Sequence, residues 1–169
     1  MEFKIRRFEP KDLERVIYIN RVCLPENYWP GFYLENYRNC PEAFLVAEVG
    51  GEIVGYVMCR MERGFSDFGK FSIVKKGHVI SIAVLKEYRR RGIGLRLMVD
   101  SMKAMAERGA KEIYLEVRVS NFPAINLYRK LGYEVVRRIR GYYADGEDAY
   151  VMSWKVTDEN LKRIERLVS

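Results

Sequence analysis

The chain has 169 residues, of which 49% are hydrophobic and 31% charged, so it is long enough for one domain with a substantial core and is not disordered in composition. Its formal net charge of +7 favours an anionic ligand or partner, such as a phosphate-rich cofactor or a nucleic acid. A single histidine excludes a His-rich metal site, and no apolar run approaches the roughly 18 residues of a membrane span.

The first residues and the cysteines indicate a reducing compartment. Met1–Phe8 alternates like a strand and lacks the apolar stretch of a signal peptide. Cys23, Cys40 and Cys59 are irregularly spaced and show no metal-site signature, as expected of reduced thiols. We therefore expect a cytoplasmic protein without a metal.

The N-terminal half predicts the order strand, helix, helix, strand, strand. In chain order these elements are a strand at Phe3–Phe8, an amphipathic helix opened by Pro10, a short helix at Phe32–Tyr37, and strands at Ala43–Val49 and Ile53–Arg60. The inward face of the first helix is predicted to contain Leu13, Val16, Ile17 and Val22. Gly50-Gly51 between two apolar runs is typical of a hairpin turn. Gly64–Lys76 is predicted to be irregular.

The C-terminal half alternates strands and helices. Its predicted elements are a strand at His78–Val84, a helix at Gly92–Arg108, a strand at Ile113–Val117, a helix at Pro123–Leu131, strands at Tyr133–Ile139 and Ala149–Val156, and an amphipathic tail helix at Asp158–Val168. His78–Val84 is almost continuously apolar, as expected of a strand covered on both faces. The order predicts one α/β domain over residues 1–156, with a mixed sheet flanked by helices and a separate tail at 157–169.

The loop Arg89-Arg90-Arg91-Gly92-Ile93-Gly94 is the main motif with chemical meaning. Two glycines separated by one residue let the backbone turn tightly and approach a ligand. Amides at the start of the following helix suit an anion, and three arginines add charge for a pyrophosphate. An ordinary strand-to-helix turn is the alternative. Rossmann and P-loop sites are disfavoured, because the third glycine and a Gly-Lys-Ser/Thr sequence are both missing.

Arg-x-x-Gly-x-Gly after an apolar strand resembles the coenzyme A motif of the GNAT superfamily of acetyltransferases. Asn121–Tyr133 resembles the second cofactor segment of that family. Further segments are similar to the catalytic subunits of NatA-type protein N-terminal acetyltransferases and to the archaeal RimI-like enzymes: Leu24–Tyr28, Gly77–Val84, Leu115–Asn121 and Tyr142–Tyr150. The resemblance extends from about Phe3 to Trp154. It implies the GNAT acyl-CoA N-acyltransferase fold, with a mixed, mostly antiparallel seven-stranded sheet and helices on both faces.

The resemblance also implies acetyl-CoA as co-substrate and a protein N-terminus as acceptor. The implied cofactor contacts are Ile82, Ala83, Val84, Arg89, Arg90, Arg91, Gly92, Ile93, Gly94, Asn121, Ala124 and Tyr128. The implied peptide-binding residues are Glu26, Asn27, Tyr28, Tyr142 and Tyr143. Backbone amides near Val84 would polarise the thioester, and Tyr128 would donate a proton or hydrogen bond to the leaving thiolate.

Attack of an amine on a thioester also needs a route for the amine proton. An α-amine has a pKa of about 7.8, whereas a lysine side chain has one of about 10.4, so an N-terminal acceptor needs only weak base assistance. Glu116 interrupts an apolar strand, in which Ile113, Leu115 and Val117 are predicted on one face and Tyr114, Glu116 and Arg118 on the other. The pKa of Glu116 should be raised unless it is paired. On pattern alone, Glu116 equally suits an ion pair with an arginine, and His78 suits a hydrogen-bonded strand residue. The resemblance implies that the two hold a proton-accepting water.

Several alternatives remain at this level. A cysteine nucleophile with His78 as base is disfavoured, because no cysteine has local activating residues. Acetylation of lysines or polyamines, acyl-CoA sensing and nucleic-acid binding are the other candidates, although the acidic stretch Asp145–Asp148 argues against nucleic acid. We favour nascent or ribosomal proteins with small first residues as substrates, which makes the ribosome a candidate partner.

Overall fold

The computed structural model describes residues 2–69 and 71–169. The strands are β1 (Lys4–Arg7), β2 (Phe44–Val49), β3 (Glu52–Phe65), β4 (Ile73–Val84), β5 (Glu112–Arg118), β6 (Glu134–Ile139) and β7 (Ala149–Lys155). The α-helices are α1 (Leu13–Cys23), α2 (Pro30–Asn39), α3 (Ile93–Glu107), α4 (Phe122–Leu131) and α5 (Asp158–Val168). Short 3₁₀ turns occur at Pro10–Asp12, Pro41–Ala43 and Lys86–Tyr88.

The described strands form one seven-stranded sheet in the order β1-β2-β3-β4-β5-β7-β6. Strands β4 and β5 are parallel, whereas β1–β2, β2–β3, β5–β7 and β6–β7 are antiparallel pairs. The predicted α/β fold with a mixed, mostly antiparallel sheet is therefore confirmed. No helix in the described ranges is long and apolar enough to cross a membrane.

The chain divides into two compact units. The first comprises the chain up to Arg60 together with Val79–Met105, and it includes β1, β2, α1, α2 and most of α3. The second comprises Met61–His78 and Ala106–Ser169, and it includes β5, β6, β7, α4 and α5. Strands β3 and β4 contribute residues to each unit.

Helix α1 of the first unit buries Val16 and Ile19. The prediction for Val22 is wrong, because this side chain is 58% exposed. Val22 follows Val16 by six residues, which places it about 240° around the helix from the buried face. Helix α2 is longer than the predicted Phe32–Tyr37, because Pro30 supplies a preformed first turn.

The β2–β3 turn has the predicted form, since Gly50 and Gly51 have φ values of 58° and 84°. The prediction that Gly64–Lys76 is irregular is wrong for its two ends, because β3 continues to Phe65 and β4 begins at Ile73. It is confirmed for residues 66–69 and 71–72, and residue 70 lies outside the described residues. At the strand ends, Lys76 contacts Glu112, a long-range pair that a local pattern does not reveal. Strand β4 is also not covered on both faces, because Ile80 and Ile82 are only half-buried.

In the second unit, β5 pairs with one neighbouring strand in parallel and with the other antiparallel. It pairs with β4 in parallel through Lys76–Glu112, Gly77–Ile113 and His78–Tyr114, and it is antiparallel to β7 along its whole length. Glycine ends α4 as predicted: Gly132 has a φ of 106°, and a Cβ there would lie 3.2 Å from Trp154 Nε1. The tail helix α5 has the predicted bounds, with a Thr157 side-chain cap and a buried Ile164.

Candidate active site

The arginine-glycine loop lies in the first unit and leads directly into α3. Arg90 and Gly92 have φ values of 63° and 85°, and a left-handed non-glycine residue such as Arg90 is typical of functional loops. The Arg96 amide donates to Gly92 O at 3.0 Å, so the amides of residues 93–95 lie at the open N-terminal end of the helix. No heavy atom lies within 4 Å of a Cβ built at Gly92. The backbone here therefore fits an anionic group such as a pyrophosphate.

The end of β4 is held by three hydrogen bonds within the first unit. Arg89 Nε donates to Val84 O at 2.8 Å, and Cys23 Sγ is 3.6 Å from the same oxygen. The Leu85 amide donates to Val54 O at 2.8 Å. Arg89 thus connects the loop to the strand end, next to Ile82, Ala83 and Val84, the predicted carbonyl-contacting segment. Arg91 is placed on the ring of Tyr88, with 5.7 Å from its guanidinium carbon to the ring centroid.

The second unit contains a group of four side chains that we name the histidine cluster: Glu62, His78, Tyr114 and Glu116. His78 Nε2 is 2.7 Å from Glu116 Oε1, and His78 Nδ1 is 2.9 Å from Glu62 Oε2. The Tyr114 hydroxyl donates to Glu62 Oε1. The rings of His78 and Tyr114 stack at 4.1 Å. The structure thus brings together His78 and Glu116, two of the three predicted catalytic residues, which lie on neighbouring strands.

The charges of the cluster set the protonation of its histidine. Burial alone lowers the pKa of His78, but the hydrogen bonds to Glu116 and Glu62 outweigh it and raise the pKa from 6.5 to about 9. Ionised carboxylates only accept hydrogen bonds, so both ring nitrogens donate and the ring is an imidazolium at neutral pH. Burial, and next the contact with Glu62, raise the pKa of Tyr114. Tyr114 is therefore a neutral donor.

Glu62 and Tyr114 were missed by the sequence reasoning. Glu62 lies beyond Arg60, where the predicted strand ended, although β3 in fact continues to Phe65. Tyr114 was assigned only to the same strand face as Glu116, which its half-buried position confirms. Extending β3 by two residues would have placed Glu62 on the sheet and made it a candidate. Glu116 pairs with His78, and not with the arginine that the pattern left open.

The other predicted residues of the second unit lie on α4 and in the β6–β7 connection. Asn121 caps α4, with its Oδ1 accepting from the Ala124 amide at 3.3 Å. Tyr128 is buried, and burial raises its pKa to about 12, so it remains protonated at neutral pH. Tyr142 and Tyr143 contact each other edge to face at 5.0 Å.

The β6–β7 connection is held by Arg118, at the end of β5. Its guanidinium donates to Asp145 at 2.8 Å and to Glu147 at 2.9 Å, and it lies 4.1 Å from the centroid of the Tyr143 ring. Asp148 pairs with Arg138 at 2.8 Å. The predicted acidic stretch is therefore neutralised by arginines of its own unit.

Glu26, Asn27 and Tyr28 lie in the first unit, in the segment between α1 and α2. The Tyr28 ring stacks on Phe32 at 4.9 Å and contacts Tyr33 edge to face at 5.8 Å. Asn27 Nδ2 is 3.4 Å from Pro25 O. Tyr28 is thus anchored by helix α2, whereas Glu26 is half-buried and Asn27 exposed.

Two of the three cysteines, Cys40 and Cys59, do not suit a nucleophile. Cys40 and Cys59 are fully buried, and burial raises the pKa of the Cys59 thiol. A reactive cysteine needs the opposite environment, a lowered pKa and partial exposure. Within residues 2–69 and 71–169, no group of three His, Cys, Asp or Glu side chains is arranged to hold a metal ion.

Comparisons with known proteins agree with this geometry. Residues 12–133 match the acetyltransferase (GNAT) family. The chain is 56% identical over 154 residues to an N-alpha-acetyltransferase of Sulfurisphaera tokodaii, covering 90% of this chain and 92% of the relative. Among solved structures, Ard1 from Thermoplasma volcanium is similar, with a TM-score of 0.81 and 31% identity over 94% of this chain and all of that one. Naa50 of Arabidopsis thaliana in complex with the bisubstrate analogue CoA-Ac-MVNAL has a TM-score of 0.80 and 26% identity, over 92% of this chain and all of that one.

Proposed function

The chain belongs to the acetyltransferase (GNAT) family of acetyl-CoA-dependent enzymes, and from this premise we propose that it acetylates the α-amines of proteins with small first residues. The observation that carries the proposal is the histidine cluster, which supplies only weak bases. Such bases suffice for an α-amine of pKa about 7.8, whereas a lysine near 10.4 is almost fully protonated at neutral pH. Similarity to N-alpha-acetyltransferases of other organisms supports the same acceptor.

We assign the coenzyme A site to the open end of α3 and the segments beside it. Amides of Ile93 and Gly94, with Arg89, Arg90 and Arg91, would bind the pyrophosphate. Backbone groups of Ile82, Ala83 and Val84 would polarise the thioester carbonyl, and Asn121 and Ala124 would contact the cofactor from the start of α4. Acetyl-CoA supplies an activated acyl carbon and a thiolate leaving group. Similarity to Naa50, which was solved with the bisubstrate analogue CoA-Ac-MVNAL, supports acetyl-CoA as the co-substrate.

The proton leaves the amine by way of Glu116. As the amine nitrogen forms its bond to the acyl carbon, a water hydrogen-bonded to Glu116 accepts the amine proton and passes it to the carboxylate. His78 holds Glu116 Oε1 at 2.7 Å and thereby orients this base. Tyr128, protonated at neutral pH because burial raises its pKa to about 12, donates to the sulfur as the carbon–sulfur bond breaks.

The peptide would lie against aromatic side chains. Tyr28, held by Phe32, would contact the peptide, as would Asn27. Tyr143, held by Arg118, and Tyr142, which contacts Tyr143, are the other proposed peptide contacts. Glu26 would recognise the ammonium or the first backbone amide of the substrate. Small first residues are exposed when methionine is removed from nascent chains, so we propose that the enzyme acts on such chains in the cytoplasm, with the ribosome as candidate partner. A lysine or polyamine acceptor is the enzymatic alternative.

Mass spectrometry of a peptide panel tests the acceptor. The peptides differ in their first two residues, and each contains one internal lysine. A matched set with blocked α-amines is the control. We expect acetylation at the N-terminus of Ser-, Ala- and Thr-first peptides and none on the blocked set. Acetylation confined to lysine would overturn the proposal. A polyamine in the same thiol-release assay distinguishes the small-amine alternative.

A further inference from the structure

We propose that Glu62 is a positioning residue, which holds the His78 ring by Nδ1 so that both ring nitrogens donate and Glu116 alone accepts the substrate proton. The geometry of the histidine cluster supports the role of Glu62 in holding the His78 ring. The role of Glu116 as acceptor of the substrate proton rests on the proposed function. Neither follows from the sequence, for which only the family resemblance implied that His78 and Glu116 hold the water together.

The two carboxylates of the cluster are used differently. Both oxygens of Glu62 are engaged, one with the Tyr114 hydroxyl and the other with His78 Nδ1 at 2.9 Å. Glu116 uses only Oε1, at 2.7 Å from His78 Nε2, and no other residue of the described chain donates to it. Its side chain is partly exposed, so water reaches the second oxygen. Glu62 therefore suits a holder, and Glu116 an acceptor.

The groups that face His78 come from three strands. Glu62 lies on β3, and Tyr114 and Glu116 lie on β5. On β4 itself, Lys76 precedes His78 by two residues, and its Nζ lies 4.7 Å from the Tyr114 ring centroid and 3.0 Å from Asp67. Among residues 2–69 and 71–169, only Glu62 and Glu116 form hydrogen bonds with the imidazole nitrogens. They outweigh the burial that lowers the pKa of His78 and raise it to about 9.

Without the Glu62 charge, the His78 ring should therefore lose its proton within the pH range in which the enzyme is assayed. Glu62→Gln keeps the side-chain shape and an oxygen for the Nδ1 proton, but it leaves a single anionic partner. The ring would then lose its proton at a lower pH. A neutral His78 ring has only one N–H group, and that group can be on Nδ1, in which case Nε2 does not donate to Glu116. The kcat of the variant should fall as pH rises through this new titration, whereas the wild-type enzyme should keep its kcat until near pH 9.

NMR of the imidazole nitrogens tests the inference directly, because His78 is the only histidine in the sequence. In the wild-type protein at pH 7 we expect the ¹⁵N shifts of an imidazolium, with a titration midpoint near 9. Glu62→Gln should lower the midpoint by at least about one pH unit. Glu52→Gln, an exposed carboxylate at the other end of β3, should titrate as the wild type does.

Activity measurements on the same proteins complete the test. We expect the kcat of Glu62→Gln at pH 8 to fall about tenfold, with the KM for acetyl-CoA changed less than about twofold, because no cofactor contact is removed. A wild-type midpoint near 6.5, or an unchanged midpoint in Glu62→Gln, would overturn the role of Glu62. The wild-type measurement decides even if the variant does not fold. A wild-type midpoint near 9 that falls in Glu62→Gln, in a protein that acetylates no peptide, would support the role of Glu62 on the ring and overturn the proposed function.

Discussion

Two charged clusters are centred on β4, one at His78 and one at Lys76, two residues earlier. Comparing them distinguishes charges that stabilise the fold from charges that can transfer a proton. The histidine cluster is accompanied by a lysine cluster, which consists of Asp67, Lys76, Glu112 and Arg137. Lys76 is 3.0 Å from Asp67 and 3.8 Å from Glu112, and Arg137 is 2.9 Å from Asp67. The central side chains here are 4–6% exposed, whereas those of His78, Glu116 and Glu62 are 14%, 17% and 28% exposed.

The lysine cluster balances its charges, and its centre at Asp67, Lys76 and Glu112 is almost closed to water. Two carboxylates meet two cations, and Glu112 also accepts from the Ser66 hydroxyl and from the Asp67 amide at 2.8 Å. In the histidine cluster, two carboxylates meet one imidazolium, and one carboxylate oxygen is left to solvent. The lysine cluster, with its charges paired and buried, suits a structural role at the strand end. The histidine cluster has one carboxylate oxygen without a partner among the described residues, and proton transfer needs such an acceptor.

Replacement of Lys76 should have the largest effect. Lys76→Met leaves Asp67 and Glu112 buried without their shared cation, and breaking a buried ion pair on one side costs about 3–5 kcal/mol. Urea unfolding measures the loss. Lys75→Met, at the neighbouring half-buried lysine, is the control and should change stability little. A loss below about 1 kcal/mol for Lys76→Met would break the distinction between the clusters.

The pH dependence of stability should come next in size. The pKa of His78 is raised in the folded protein, from 6.5 to about 9. Its contribution to stability is therefore complete below pH 6.5 and is lost as pH rises through 9, because the native state then holds a proton that the unfolded state has released. The free energy of unfolding should fall by about 3 kcal/mol over this range. His78→Gln should lack this component, and parallel curves for the two proteins would contradict the assignment.

Loss of the Glu116 carboxylate should raise the activation free energy of the reaction by an amount comparable to the stability change above. Glu116→Gln keeps an oxygen for His78 but no basic one, so we expect kcat to fall about 100-fold, equivalent to about 2.7 kcal/mol. Affinity for acetyl-CoA, measured by calorimetry, should not change. Glu134→Gln on β6, an exposed site, serves as control. Retained kcat in Glu116→Gln would exclude this carboxylate as the base.

The smallest effect should come from Tyr114, which contacts both clusters. Its hydroxyl donates to Glu62, and its ring faces Lys76 at 4.7 Å. Tyr114→Phe removes only the hydroxyl, and because Glu62 is partly exposed water replaces the bond, so the cost should be about 1 kcal/mol. Tyr18→Phe, on the exposed side of α1, should be neutral. A cost above about 3 kcal/mol would show that Tyr114 supports the lysine cluster as well.

Local patterns predicted a large part of this protein. The strand–helix order, the Gly50-Gly51 turn and the bounds of α5 follow from short-range periodicity and turn chemistry. Alternation along β5 placed Glu116 and Tyr114 on one face. The predictions that failed concern strand ends whose contacts are not local in the sequence. The end of β3 at Phe65 and the start of β4 at Ile73 were missed, and the contact of Lys76 with Glu112 there joins residues far apart in the sequence.

By itself, the sequence determined the family, the loop at the start of α3, and the identity of His78 and Glu116 as a pair worth testing, because these depend on residue type and spacing. Only the tertiary structure decided the protonation of His78. The third partner of the pair, Glu62, lies on β3, 16 residues before His78 and 54 residues before Glu116. A pKa depends on charges within a few ångströms in space, and distance along the chain does not encode which charges those are.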